Sequence, residues 1–340
     1  MPDRPLVVML TSMDQSGMDI LGEVADVRLV DPKDRAAVQA AVADADGIIT
    51  RTAGAIDAEV FGWAKRLRVV GRHGVGFDHI DVPTATASGV QVVYTPGANT
   101  QDVCEHVIAM MIGLSKHFPT MMRELEAGNY AVRTTMRGRE IFSRTLGIVG
   151  FGRIGRRLGE IAHVGFGMRV LYHDIVAAPE EVEVRAAATR VGLEELLRAS
   201  DYVSLHLPLD DSTRKMMNRA SLANIREGCI LINTCRGPVV DEEAVADALD
   251  ARLLWGYGAD VFDVEPPPPD HPLIGRPDVM LTPHSAAQTF EGLRNMAMFV
   301  ARDVVNVLTA RPPTNPVNDP AEVERSRIGL GLAPLYRPAD

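Results

Sequence analysis

A chain of 340 residues has room for about two domains, each able to bury a core of its own, which excludes a peptide hormone or a small disulfide scaffold. Hydrophobic residues at 46% and charged residues at 24% are ordinary globular values and exclude an intrinsically disordered chain. A formal net charge of −10 repels polyanions at long range, so neither nucleic acid nor an anionic membrane surface is expected as a partner.

Short β-branched runs at residues 6–10, 27–30 and 47–50 read as strands, with an Ala-rich helical stretch at 34–45 between the last two. That alternation argues for parallel βα units. After Asn99 and Thr100, both able to cap a helix, an apolar stripe carries Val103, Val107, Ile108, Met111, Ile112 and Leu114. The best apolar run, 107–114, falls far short of the ~20 residues a bilayer helix needs, and no membrane partner is expected. A second strand series follows at 146–149, 169–172, 202–205, 229–233, 254–259 and 279–281, and an amphipathic helix closes it at about 288–310. Two doubly wound parallel α/β sheets are the expected fold class. Cys104, Cys229 and Cys235 form no Cys-x-x-Cys pair, so no metal site or disulfide frame is expected, and a reducing, cytoplasmic setting is.

The strongest motif is Gly150-Phe151-Gly152-Arg153-Ile154-Gly155, preceded by a strand and followed by a helical pattern through Ile161. In that context Gly150 permits the tight turn, Gly152 lets a phosphate approach the backbone, and Gly155 allows close helix–strand packing, while the helix N-terminus points N–H groups at a pyrophosphate. The next strand ends at Asp174, near the spacing expected of an acid that accepts from the adenosine ribose hydroxyls. Its charge would repel a 2′-phosphate, so NAD is expected over NADP. Arg236, Glu265 and His284 stand at or just after the ends of later strands, where doubly wound sheets place ligands. A guanidinium can hold a carboxylate, and an imidazole oriented by a carboxylate is a proton shuttle.

Four ordered segments, 150–155, Asn233-Thr234-Cys235-Arg236-Gly237-Pro238, Asp260-Val261-Phe262 through Glu265-Pro266, and Thr282-Pro283-His284, resemble the D-isomer-specific 2-hydroxyacid dehydrogenase family. The resemblance implies a Rossmann NAD domain at 102–289 inserted into a flavodoxin-like substrate domain made of 1–101 and 290–340. It implies that Arg236 binds the substrate carboxylate and carbonyl, that His284 is the general acid/base, and that Glu265 holds and charges it. Arg153, Ile154, Leu207, Thr234, Cys235, His284 and Ala286 fall to the cofactor, with Asp260 on the nicotinamide carboxamide. Leu207 departs from the polar residue often found there.

The loop Gly71-Arg72-His73-Gly74-Val75-Gly76-Phe77-Asp78 resembles the family segment whose amides, here Gly74, Val75 and Gly76, receive the substrate carboxylate. Arg51 and Arg72 match positions that carry substrate-phosphate arginines in phosphoglycerate-type members. His73, His79 and His106 read as loop or packing residues. The activity so implied is reversible hydride transfer between NAD(H) and a small 2-oxo or 2-hydroxy acid, of glyoxylate/hydroxypyruvate or 3-phosphoglycerate type, by a homodimer. The alternative is an NAD(H)-sensing, corepressor-like interaction protein on the same fold.

Overall fold

A computed structural model describes residues 4–51 and 54–336. The chain divides into two compact units, one built from residues up to Asn99 together with those from Thr289 onward, the other from Thr100–Gln288. Among the described residues no helix is long and apolar enough to cross a membrane.

The first unit holds β1 (Leu6–Met9), β2 (Asp26–Leu29), β3 (Gly47–Thr50), β4 (Val69–Arg72) and β5 (Gln91–Val93) in the order β2-β1-β3-β4-β5, every pair parallel. That is the flavodoxin-like order. Successive side chains leave opposite faces of a strand, and the burial divides accordingly. Val8, Ile48, Val70 and Val92 enter one core, and Val7, Ile49, Val69 and Val93 enter the other, where Val300 and Val304 of the helix Phe290–Leu308 meet them. Two of these strands, β4 and β5, are absent from the sequence-based series. β4 offers only two valines before Gly71 and Arg72, and β5 is three residues long, so neither presents a run long enough to register.

The second unit holds β6 (Thr145–Val149), β7 (Arg169–His173), β8 (Ala188–Arg190), β9 (Tyr202–Leu205), β10 (Cys229–Asn233), β11 (Leu254–Ala259) and β12 (Val279–Leu281) in the order β12-β11-β10-β9-β6-β7-β8, again all parallel. β8, a short and mostly exposed edge strand, is the one the sequence pattern lacks. β6 pairs with β9 on one side and β7 on the other, so the topological switch lies at its carboxyl end. Doubly wound sheets bind ligands at such a point.

Gly71 shows how tightly the first unit is closed: a Cβ there would lie 2.7 Å from Val300 Cγ2 and 2.8 Å from Val304 Cγ2. Gly71→Val is therefore expected to overpack the β4–helix contact at a cost of about 1–3 kcal/mol. Urea unfolding followed by circular dichroism checks this, and an unchanged midpoint would contradict the packing described.

Candidate active site

Gly150 turns the chain out of β6 with φ 93°, a left-handed value that favours glycine, and an added Cβ would overlap the His206 carbonyl after β9. A Cβ on Gly155 would run into the Gly150 carbonyl. Gly152 differs: nothing lies within 4 Å of its Cβ position, and no side chain caps the helix Arg153–Phe166 that it precedes. The first N–H groups and the positive dipole end of that helix therefore face open space. Arg153 is exposed there and Ile154 half-buried. Asp174, one residue beyond β7, accepts from Phe151 N–H at 2.6 Å and Val176 N–H at 3.0 Å through different oxygens, which leaves each oxygen capacity for a ribose hydroxyl. Thr234 Oγ1 is buried without a hydrogen-bond partner, an orphan that a polar ligand group would satisfy. An open phosphate cradle, a ribose acceptor and an orphan hydroxyl fit a bound dinucleotide. Cys235 is a packing residue: its Sγ contacts Asn233 Oδ1 at 3.1 Å and burial pushes its thiol up, away from the thiolate. Leu207 packs against the same core.

Three adjacent strands, β10, β11 and β12, deliver the next group of residues from their carboxyl ends. Arg236 follows β10 and is half-buried, its backbone carbonyl bonded by Asn233 Nδ2 at 2.8 Å and its Nη1 on the Cys235 carbonyl at 2.6 Å. Asp260 follows β11 and is 1% exposed. Its carboxylate accepts from Thr282 Oγ1 at 2.6 Å, Ser285 N–H at 2.7 Å and Ala286 N–H at 2.8 Å, so most of its capacity goes into the turn that carries His284. A nicotinamide carboxamide would have to share an oxygen already bonded. Ala286 likewise has its N–H committed to that turn.

His284 holds φ 51°, a conformation uncommon outside glycine, fixed by its N–H on the Asp260 carbonyl at 2.8 Å. Its Nδ1 lies 2.8 Å from Glu265 Oε2, which places the ring hydrogen on Nδ1 and leaves Nε2 without a protein partner among the described residues. Burial pushes the Glu265 carboxyl up, but the His284 hydrogen bond and charge, the Phe262 N–H and the Arg236 guanidinium outweigh it and hold the group below the ordinary carboxylate range. Arg236, Glu265 and His284 thus share one electrostatic neighbourhood.

In the first unit, Arg72 is 7% exposed and lies beneath the 73–76 loop, with Nη1 on the His73 carbonyl at 2.8 Å and Nε on the Gly76 carbonyl. Its guanidinium braces the loop, where the sequence suggested a substrate-phosphate ligand. Gly74, at φ 143°, spends its own N–H on the Arg72 carbonyl at 2.9 Å, so the expected three-amide anion nest narrows to Val75 and Gly76. Arg51 is half-buried and has no carboxylate partner among the described residues; burial pushes its pKa down. His73 is 1% exposed and neither ring nitrogen completes a hydrogen bond, although the Leu293 carbonyl approaches. Burial, then the charges of Arg51 and Arg72, push its pKa down to about 4.

Sequence reasoning missed His106, whose Nε2 is 2.8 Å from Thr282 Oγ1 and 3.7 Å from Asp260. Only the Glu105-His106 pair on a helix hinted at it, and that spacing suits packing equally well.

Residues 108–286 match the family model described as D-isomer specific 2-hydroxyacid dehydrogenase, NAD binding domain. Glyoxylate reductase of Korarchaeum cryptofilum is 36% identical over 321 residues, covering 93% of this chain and 96% of that protein. D-3-phosphoglycerate dehydrogenase of Mycobacterium leprae is 37% identical over 307 residues, covering 89% of this chain but only 56% of that protein. The crystal structure of a glyoxylate reductase from Paecilomyes thermophila superimposes with a TM-score of 0.84 at 27% identity, covering 93% of this chain and 99% of that one. The fold and the glycine turn define an NAD-dependent oxidoreductase. The chain belongs to the D-isomer specific 2-hydroxyacid dehydrogenase family.

Asp174→Ala is expected to weaken NAD binding by about tenfold or more, the loss of hydrogen bonds to a charged acceptor, while NADP binding weakens less. Titration calorimetry with both dinucleotides checks it, and an unchanged ratio would remove Asp174 from the ribose site. His73 gives a pH prediction. With a folded value of about 4 against 6.5 for the ordinary imidazole, the native state stays neutral where the unfolded chain already takes up a proton. Stability is therefore full above pH 6.5 and drains away as the pH falls toward 4, by about 1.4 kcal/mol per pH unit for one such group. Urea midpoints between pH 7 and pH 5 should fall less steeply in His73→Asn than in wild type; equal slopes would refute the assignment.

Proposed function

We propose that this protein reduces a small 2-oxo acid of the glyoxylate or hydroxypyruvate class to its 2-hydroxy acid, with His284 as general acid in that direction and general base in reverse. The observation that carries the reading is the His284 ring, tied through Nδ1 to Glu265 at 2.8 Å with Nε2 left open. When bound, the nicotinamide dinucleotide supplies the two-electron reducing equivalent. The remaining work falls to the chain's own groups. Arg236 presents its guanidinium to the substrate carboxylate and keto oxygen, drawing electron density from the carbonyl and stabilising negative charge as it grows there. Protonated His284 passes its Nε2 proton to that oxygen, while ionised Glu265 stabilises the imidazolium and keeps the ring aligned afterwards. In the oxidative direction neutral His284 takes the hydroxyl proton at the same nitrogen.

One observation favours an unphosphorylated substrate: Arg72 spends its Nε and Nη1 donors on carbonyls of its own loop. A substrate with a second anionic end is the other reading, favoured by Arg51, half-buried with no carboxylate beside it. A homodimeric assembly and a cytoplasmic setting belong to the same proposal.

An NADH assay against glyoxylate, hydroxypyruvate and 3-phosphohydroxypyruvate decides among these readings. Turnover of the first two is expected; preference for the third would favour the second anion, and NADH binding without any turnover would favour the corepressor-like alternative. Arg236→Ala is expected to lower kcat/KM for the 2-oxo acid by a hundredfold or more, as loss of a charge-assisted contact made in the transition state costs about 3 kcal/mol, with NADH binding intact. Collapse of NADH binding would misplace the arginine. Glu265→Gln should lower kcat for reduction about tenfold or more, because the ring loses the carboxylate that orients its Nδ1; an unchanged kcat would dissolve the dyad.

A further inference from the structure

Two carboxylates grip successive peptides of the loop that carries Glu265. Phe262 N–H donates to Glu265 Oε1 at 3.1 Å, and the next N–H, that of Asp263, donates to Glu242 Oε1 at 3.3 Å. Glu242 opens the helix Glu242–Asp250, and its other oxygen lies 3.0 Å from His271 Nε2. His271 Nδ1 accepts from Leu273 N–H at 3.3 Å, which places the ring hydrogen on Nε2 and makes His271 the donor to Glu242. The imidazole also meets the Phe262 ring edge-on, at 5.6 Å between centroids and 89°. Both side chains are nearly out of water, His271 at 6% and Glu242 at 11% exposure. A buried carboxylate is costly unless its lone pairs are filled. This one is filled by the catalytic loop and by an imidazole packed on that loop. Capping of its own helix is done by Asp241, through the Ala244 N–H.

We infer that Glu242 and His271 are a positioning pair for the dyad, fixing the Phe262–Asp263 peptides so that Glu265 is presented to His284 Nδ1. The inference rests on the dyad reading given above. Its reach includes Arg236: a Cβ on Gly237 would overlap the Phe262 carbonyl group, so the backbone that Glu242 steadies is seated directly on the turn following Arg236. Releasing the Asp263 N–H lets the peptide rotate, and Glu265 then follows its own bond to Phe262 N–H away from the histidine. Neither Glu242 nor His271 touches the reacting atoms, so their effect is read through His284.

The test uses the full chain with Glu242→Ala, Glu242→Gln, His271→Phe and, as a control for charge at the helix start, exposed Glu243→Gln. The first readout is the downfield proton resonance of the His284–Glu265 hydrogen bond, identified by its loss in Glu265→Gln. The second is kcat and KM with NADH and glyoxylate. Glu242→Ala and His271→Phe are expected to broaden or abolish the resonance and to lower kcat tenfold to a hundredfold, the scale of a misplaced catalytic group, with KM for NADH within about twofold. Glu242→Gln, which keeps an acceptor for Asp263 N–H, should recover most of both signals, and Glu243→Gln should match wild type. A lower melting temperature with wild-type resonance and kcat would make the pair merely structural and overturn the inference. If Glu242→Ala does not fold, His271→Phe decides by the same criterion. A wild-type protein that turns over no 2-oxo acid would sink the proposed function, while the resonance would still decide the positioning.

Discussion

An imidazole has two nitrogens, and the bond from His284 Nδ1 to Glu265 decides which one is left for chemistry. Much of the second unit's local structure is arranged around that commitment. Three neighbouring parallel strands end together, one bringing a guanidinium, the next a buried carboxylate, the third the histidine. Asp260 does not meet His284 through its side chain. It ties down the residues on either side, Thr282, Ser285 and Ala286, and so holds the histidine in a backbone conformation that few residues accept. The strain is local, and the carboxylate that maintains it is buried.

The first unit treats charge in another way. Arg72 turns its guanidinium inward, against carbonyl oxygens of a glycine-bearing loop, and thereby leaves the amides of Val75 and Gly76 as the polar groups that loop still has to offer. A cation beside backbone N–H groups reinforces their positive potential without exposing a charged side chain. His73, desolvated and held neutral beside two arginines, adds no further positive charge there.

Much of this was legible in sequence. The strand ends carrying Arg236, Asp260 and His284, and the glycine turn after β6, are specified by residues close together in the chain, where steric demands and strand periodicity leave few alternatives. What escaped depends on partners far away. His106 meets Thr282 across 176 positions, and Glu242 meets Asp263 and His271 across 21 and 29. β4 was hidden because Gly71, which breaks its apolar run, is small to admit Val300 and Val304, more than 200 residues later. The sequence also shows that position 72 is an arginine, but not that its Nε and Nη1 bond carbonyls within four residues.

The packing of Val300 and Val304 bears on biosynthesis. One face of the first sheet is covered largely by the helix Phe290–Leu308, so the strands that carry Val7, Ile49, Val69 and Val93 lack most of that cover until the whole second unit has been translated. At 5–20 residues per second that wait is roughly 10–40 s. The interior unit, continuous in the chain, can complete its own core during that interval, whereas the strands before Asn99 wait with one apolar face only partly covered.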